Sequence, residues 1–262
     1  MIFKALSEIQ SNNQACALCT IVRAQGSTPR HVGSKMIVYH DGKIIGTIGG
    51  GELERRVITE AQDAIDKGSP ALLDYRMTDP EQGDPGVCGG SLEIFVDPII
   101  PRPTLVVVGA GHVGRSVAHL AQWLGFYVIV TDDRSELCTS TLIPDGDEFY
   151  PVPFLEFPEK IDITPWTYFV LTTRSVDVDI QGLPAIINSQ APYIGIIGSK
   201  RRWSTTRQKL LETGLTENDV NRIKSPIGLN LNAETPQEIA VSILAEIILF
   251  RQGGGSKIKN GK

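Results

Sequence analysis

The run LVVVGAGHVG at residues 105–114 constrains the fold of this chain more than any other stretch. Its first four residues are apolar and three of them are β-branched, which predicts a strand buried on both faces. Gly109, Gly111 and Gly114 follow with the spacing G-x-G-x-x-G, and apolar side chains then recur at helical spacing over 113–124. The run therefore predicts a strand, a tight glycine turn and a helix that begins at the turn.

A second apolar run at 127–131 ends in an acid and completes the pattern of a Rossmann βαβ unit. In such a unit the first glycine permits the turn, the second lets a phosphate approach the helix N-terminus, and the third lets the helix pack on the strand. The acid accepts hydrogen bonds from a ribose diol. The expected ligand contacts are Gly109, Gly111, His112, Gly114 and Asp132. The alternative is that the glycines serve packing alone.

Length, charge and hydropathy limit the possible functions. At 262 residues the chain has room for two modest domains. Its net charge of -5 argues against nucleic acid as a partner. The longest apolar candidate, 239–250, is interrupted by Ser242 and Glu246, so no membrane segment is expected. The N-terminus lacks the apolar core of a secretory signal, and we therefore expect a cytoplasmic protein.

The chain has four scattered cysteines. Cys16 and Cys19 form a C-x-x-C pair within an apolar run that predicts a strand over 16–24, and their offset of three places the thiols on opposite faces of that strand. No second such pair or histidine cluster completes a zinc site. Ordinary buried, reduced thiols are expected.

A second glycine turn is predicted in the first half, after a hairpin signalled by Asp-Gly at 41–42. Gly49, Gly50 and Gly51 precede a helix predicted over 52–66, and glycine-rich turns into helix N-termini bind anions. Two acids in the first turn of that helix disfavour a phosphate unless they point away. The alternative is a turn that needs glycine for its geometry only.

Cys88 is the thiol with the best expected access, because it is followed by two glycines where a polar loop meets a strand predicted over 92–96. Such a thiol suits a nucleophile or a ligand for a soft metal. A buried, inert cysteine is the alternative.

The proline-rich segment DPIIPRP at 97–103 is the best linker candidate. We expect an α/β protein with an N-terminal α/β domain over 1–98 and a linker over 99–103. A Rossmann-like domain with a doubly wound parallel sheet is expected over 104–252, followed by a flexible tail over 253–262.

Further strands are predicted over 166–172 and 193–197, with helices over 183–188 and 203–213. The second of these strands ends in the cationic run GSKRR at 198–202. Because ligands bind outside the carboxyl ends of strands in open α/β sheets, this run is a candidate phosphate site. Its candidate residues are Gly198, Lys200, Arg201 and Arg202. Solvated surface charge is the alternative.

Several sequence motifs occur along the chain in an order that is typical of a known protein family. The first half contains GSTPR at 26–30, GTIGGGELE at 46–54 and CGG at 88–90; the second contains VGAGHVG at 108–114, DDR at 132–134, GIIGSKRR at 195–202 and the segment 228–251. Together they resemble the XdhC/CoxI family of maturation factors for molybdenum hydroxylases such as xanthine dehydrogenase. The resemblance covers about residues 10–251 and depends on the order and spacing of the motifs.

This resemblance implies a homodimer that binds the molybdenum cofactor (molybdopterin), a pterin dithiolene with a phosphate. It implies that the cofactor is protected while it is sulfurated, with a cysteine desulfurase as a further partner, and is then handed to the apo-enzyme of a molybdenum hydroxylase. The protein would be an accessory factor rather than a catalyst. Cys88 is then the expected catalytic and metal-binding thiol, in contact with molybdenum or with transferred sulfur.

The chain departs from the family pattern at two places. Glu52 stands where many relatives have a cysteine, and Ser175-Val176 follow Thr173-Arg174 where relatives often have Gly-His. These departures suggest a divergent paralogue with a different client. An NAD(P)-dependent oxidoreductase and a non-catalytic nucleotide-binding sensor are the alternative functions.

Overall fold

The computed structural model of the chain describes residues 1–77, 85 and 89–252. The chain divides into two compact units, Met1–Pro101 and Arg102–Lys262. Cys88 and the tail expected over 253–262 lie outside the described residues, so what the sequence suggests for them stays a prediction.

The first unit is built on an antiparallel sheet. Its helices and strands, in chain order, are α1 Ile2–Ser11, β1 Cys16–Gln25, β2 Lys35–Tyr39, β3 Ile44–Gly46, α2 Gly51–Lys67, β4 Ala71–Arg76 and β5 Ser91–Ile99. The strand order is β3-β2-β1-β5-β4, and the pairs between these strands are antiparallel. The hairpin predicted at 41–42 is confirmed, since β2 and β3 pair across it and Gly42 has a φ of 83°.

The C-x-x-C pair consists of two buried thiols on β1. Cys16 packs with Ala5 and Ile9 of α1 on one face of the sheet, and strand alternation turns Cys19 to the opposite face. Burial raises the pKa of Cys16 to about 11 and that of Cys19 to about 12. The predicted burial of both thiols is confirmed.

The second unit is built on a parallel sheet. Its helices and strands are β6 Thr104–Val108, α3 His112–Trp123, β7 Tyr127–Thr131, β8 Glu148–Tyr150, β9 Thr167–Leu171, α4 Val176–Ile187, β10 Tyr193–Ile196, α5 Lys200–Glu212, α6 Glu217–Asn221, β11 Ile223–Lys224 and α7 Pro236–Arg251. The strand order β8-β7-β6-β9-β10-β11 is the 3-2-1-4-5-6 order of a Rossmann domain. The chain reverses its direction of travel across the sheet between β6 and β9, which is where such domains bind ligands.

Helices cover both faces of this sheet. Leu105 and Val107 of β6 belong to the core that contains α3 and α7, whereas Val106 and Val108 belong to the core that contains α4, α5 and α6. The prediction that β6 is buried on both faces is therefore confirmed, as are the α/β class and the doubly wound second domain.

The helix that follows β9 is longer than its sequence pattern suggests. The sequence predicts a helix over 183–188, but α4 begins at Val176 after the cap residue Ser175, and Pro184 lies inside it. Proline is favoured in the first turn of a helix, so Pro184 wrongly suggests a start near residue 183. The N-terminus of α5 is likewise earlier than predicted, at Lys200 rather than 203, because Ser199 caps it.

The last helix, α7, begins with a capping box. The Thr235 side chain accepts from the Glu238 amide, and the Glu238 carboxylate accepts from the Thr235 amide. Although α7 is strongly apolar, no helix in the described part of the chain has the length and hydropathy needed to cross a membrane.

Candidate ligand-binding site

Two glycines of the turn between β6 and α3 are required by the protein's own packing. Gly109 has a φ of 110°, and a Cβ atom there would lie 2.8 Å from the carbonyl oxygen of Thr172. A Cβ atom at Gly114 would lie 1.9 Å from the carbonyl oxygen of Gly109. These glycines let β6, β9 and α3 approach closely whether or not a ligand binds.

Gly111 has no comparable role in the folded chain. Its φ is −72°, and a Cβ atom there would meet nothing within 4 Å. It is the N-cap of α3, and no side chain in the described part of the chain accepts a hydrogen bond from the first amides of that helix. By contrast, the four other described α-helices of this unit each have a side-chain cap, from Ser175, Ser199, Thr216 and Thr235. The α3 N-terminus thus has unpaired amides beside open space, which favours an anion.

Asp132, the expected ribose acceptor, bonds within the protein. Its Oδ2 accepts from the Ala110 amide at 2.7 Å and from Arg134 Nη2 at 2.7 Å, and its Oδ1 accepts from Arg134 N and Nε, both at 2.9 Å. Burial of the carboxyl opposes its ionisation, but the bonds from Arg134 and Ala110 outweigh that effect and lower the pKa of Asp132 to about 2. A ligand-binding role for Asp132 stays a prediction, and it would require Arg134 to move.

A cleft opens beside this ion pair at the carboxyl ends of β6, β7 and β9. Its space, part of which is open to solvent, is about 490 Å³. Arg174 lines it and makes two hydrogen bonds to Asp133, at 2.6 and 2.7 Å. The other lining residues are Val108, Gly109, Thr131, Asp132, Arg134, Val152, Pro153, Phe154, Leu155, Thr173, Val178 and Gln181. The cleft combines an apolar wall with two arginines.

The amides of the glycine turn in the first unit already bind a carboxylate of the protein itself. Glu54 Oε1 accepts from the amides of Ile48, Gly49 and Gly50 at 3.0, 3.2 and 2.8 Å, and from the Thr47 hydroxyl. Burial raises the pKa of Glu54, but these bonds outweigh it, and the net change is downward. Cofactor binding at Gly49, Gly50 and Gly51 stays a prediction, and a phosphate there would have to displace the Glu54 carboxylate.

The cationic run at 198–202 separates into exposed and structural side chains. Lys200 and Arg201 are exposed in the first turn of α5, where their predicted phosphate contacts stay untested. Arg202 instead turns inward and bonds to the carbonyl and hydroxyl of Thr173 and to Asp179. Gly198, with a φ of 151°, provides the turn against which the Arg202 side chain lies. Arg202 therefore links α5 to the loop after β9 and to α4.

Asp179, the partner of Arg202, is fully buried. Burial raises its pKa, while hydrogen bonds from Thr173 and Arg202 act in the opposite direction without cancelling the effect. Sequence reasoning missed this pair because its two members are 23 residues apart.

Sequence reasoning also gave no role to Arg134 and Arg174. Each follows the carboxyl end of a strand, β7 or β9, and that position is the signal that could have identified them. His112, by contrast, is exposed on the first turn of α3 and does not line the cleft. The described residues contain no group of three or more side chains arranged to hold a metal ion.

The fold and this cleft define a Rossmann-type binding domain joined to a smaller α/β unit. The family model described as the XdhC Rossmann domain matches residues 105–247, and the model of the XdhC and CoxI family matches residues 9–76. The chain belongs to the XdhC family, and the resemblance inferred from its motifs is confirmed.

Three curated relatives place the chain more closely. It is 36% identical over 264 residues to the uncharacterized protein YqeB of Escherichia coli K12, covering 98% of this chain and 48% of that protein. It is 35% identical over 164 residues to a protein of Bacillus subtilis 168 described as a probable xanthine dehydrogenase subunit, covering 61% and 46%. It is 23% identical over 279 residues to the molybdenum cofactor insertion chaperone PaoD of E. coli K12, covering 95% and 88%. The chain thus spans about half the length of the first two relatives.

A solved structure shares the fold. A crystal structure described as a xanthine dehydrogenase from Bacillus halodurans superposes with a TM-score of 0.53 at 22% identity, covering 98% of this chain and 97% of that one.

Proposed function

We propose that the chain binds the molybdenum cofactor in the cleft of its second unit and delivers it to the apo-enzyme of a molybdenum hydroxylase. The observation that carries the proposal is the unobstructed N-terminus of α3 at Gly111, in a chain of the XdhC family. Gly111 is needed neither for backbone conformation nor for packing against the described residues, and the approach of a phosphate to the helix N-terminus supplies a physical reason for a glycine there.

The residues of the cleft fit a phosphorylated pterin. The phosphate oxygens would accept from Arg134 and Arg174, which line the cleft, and from the unpaired amides at the start of α3. The glycine turn and Arg134 are adjacent, because the Ala110 amide and Arg134 Nη2 bond to the same oxygen of Asp132. Val152, Phe154 and other apolar residues offer a surface for a flat ring. When bound, the cofactor would supply its molybdenum–dithiolene centre, while the protein would bind, orient and shield it.

The composition of the cleft supports a carrier rather than a catalyst. No histidine, cysteine or lysine is among the described residues that line it, and both of its acids are paired with arginines. We propose further, from the family resemblance, a cytoplasmic homodimer that works with a cysteine desulfurase. Cys88 is the thiol proposed to contact molybdenum or transferred sulfur.

The proposal can be tested by retention of the cofactor. The full chain is mixed anaerobically with molybdenum cofactor released from a purified molybdoenzyme, and molybdenum and pterin fluorescence are measured after gel filtration. We expect both to elute with the protein, and Gly111→Asp to abolish this because its carboxylate would meet the phosphate. If the wild-type chain retains no cofactor, the proposal is wrong. Cys88→Ala tests the thiol separately, through the sulfuration state of the retained cofactor.

An NAD(P)-dependent oxidoreductase is the second candidate, favoured by the Rossmann strand order. Oxidation of NADH or NADPH by the purified chain with candidate acceptors, followed at the nicotinamide absorbance band, would support it. Binding without turnover would instead favour a nucleotide sensor.

A further inference from the structure

We propose that the cleft of the second unit selects a ligand that ends in a phosphate monoester and discriminates against an unsubstituted ribose diol. The inference builds on the proposed function, because it specifies which chemical form of a phosphorylated ligand this site accepts. A cofactor form that ends in a phosphate would be preferred to one that ends in a nucleoside.

The first reason is that the acid expected to bind a diol has no acceptor capacity left. An ionised carboxylate has about four lone-pair positions. Asp132 uses four of them, for the amides of Ala110 and Arg134 and for two donors of the Arg134 guanidinium. A ribose hydroxyl would have to replace one of these bonds to a buried carboxylate, two of which come from a charged guanidinium.

The neighbouring acid is also paired. Each oxygen of Asp133 accepts one hydrogen bond from Arg174. This pair is half exposed, so it is easier to rearrange than the pair of Asp132 with Arg134. Replacing Arg174 by a ribose hydroxyl exchanges two hydrogen bonds from a charged donor for a bond from a neutral one.

Hydrogen-bond donors of the two arginines remain available in the cleft, whereas the carboxylate acceptors are occupied. A guanidinium has five N–H groups. Arg134 commits its Nε and one Nη2 hydrogen to Asp132, and Arg174 commits one hydrogen on each Nη to Asp133, which leaves three N–H groups on each arginine. A phosphate monoester has only acceptor oxygens when it is a dianion and therefore matches this surplus.

The wall of the cleft accommodates the rest of such a ligand. Val152, Phe154 and Val178 line it, and Leu155, which is 55% exposed, lies at its surface. An apolar ring can cover these side chains while a phosphate reaches the arginines.

NAD⁺ and NADP⁺ are suitable probes, because they differ only by a phosphate monoester on one ribose. Calorimetry on the full chain at low salt is expected to give NADP⁺ an affinity about tenfold to a hundredfold higher than that of NAD⁺, the range that bonds to a charged group provide. Arg174→Met should remove most of this preference with little effect on folding, because its ion pair is exposed. Arg23→Met, which removes an exposed arginine of the first unit, is the matched control and should leave the preference unchanged.

Arg134→Met is the second variant. It should weaken NADP⁺ binding and strengthen NAD⁺ binding, because Asp132 regains free acceptors, and circular dichroism checks its fold. Equal affinities of the wild type for the two probes, no binding of either at millimolar concentration, or an unchanged preference in Arg174→Met would each overturn the inference. Cofactor retention is measured independently, so failure of the proposed function with a clear preference for NADP⁺ would leave this inference standing. Retention of the cofactor without that preference would reject the inference alone.

Discussion

The Oδ2 atom of Asp132 lies 2.7 Å from the backbone nitrogen of Ala110 and 2.7 Å from Nη2 of Arg134, so one oxygen joins the end of β7 to the glycine turn. An acid at this position of a Rossmann motif ordinarily indicates a ribose contact. In this chain the bonds of Asp132 also fix the turn from which the unpaired amides of α3 project. The site is therefore organised before any ligand arrives.

The hydrogen bonds accepted by the Asp132 carboxylate predict that the fold loses stability in acid. Because the pKa of Asp132 is about 2 in the folded protein and about 3.9 in an unfolded chain, the carboxylate stabilises the fold by about 2 kcal/mol above pH 4. That contribution should be lost as the pH falls from 4 to 2. Urea unfolding of the wild type and Asp132→Asn over this range measures it, and the variant should show the weaker dependence on pH. Parallel pH curves for the two proteins would contradict the prediction.

The two glycines at the start of α3 should respond differently to substitution. Gly114→Ala places a Cβ atom 1.9 Å from the Gly109 oxygen and should cost about 3 kcal/mol of unfolding free energy. Gly111→Asp meets no atom and supplies a favourable N-cap, so its stability should stay within about 0.5 kcal/mol of the wild type. Denaturant unfolding compares them. A large loss of stability in Gly111→Asp would mean that this glycine is structural.

The sequence allowed the second unit to be predicted because its signals are local. The strand, turn and helix at 105–124 are encoded by adjacent residues. The start of α4 was missed because Pro184, inside the helix, mimics a helix start.

The chemistry of the site was harder to predict, because it depends on side chains that meet only after folding. The pairing of Arg174 with Asp133 joins residues 41 apart, and no local pattern reports it. Arg134 is only two residues from Asp132, yet its side chain could point toward that carboxylate or toward solvent. The folded structure shows that it bonds to the carboxylate. In the sequence, Glu54 is one of two acids that disfavour a phosphate at the first glycine turn, but in the folded chain its own carboxylate binds the amides of that turn.

Glu54 should hold the glycine turn of the first unit in place. Glu54→Gln replaces a carboxylate that accepts three backbone amides by a neutral amide, and we expect a loss of about 1 to 3 kcal/mol. The amides of Ile48, Gly49 and Gly50 should then exchange faster with deuterium. Glu52→Gln is the matched control, since Glu52 pairs only with arginines on the surface of the same helix and should leave that exchange unchanged. Equal effects of the two variants would show that the carboxylate of Glu54 does not hold the turn.

Arg202 and Arg201 are adjacent, but removing the first should destabilise the fold far more than removing the second. Arg202→Met leaves Asp179 buried without its ion-pair partner, so we expect a loss of about 3 to 5 kcal/mol at pH 7. The pKa of Asp179, already raised by burial, should rise further in this variant, and protonation should then stabilise its folded state as the pH is lowered. The loss of stability relative to the wild type should therefore become smaller as the pH is lowered from 7 to 5.

Arg201→Met removes an exposed charge and should change stability by less than about 0.5 kcal/mol. Urea unfolding of both variants at the two pH values tests the contrast, and a deficit in Arg202→Met that is independent of pH would show that Asp179 is not the group left uncompensated.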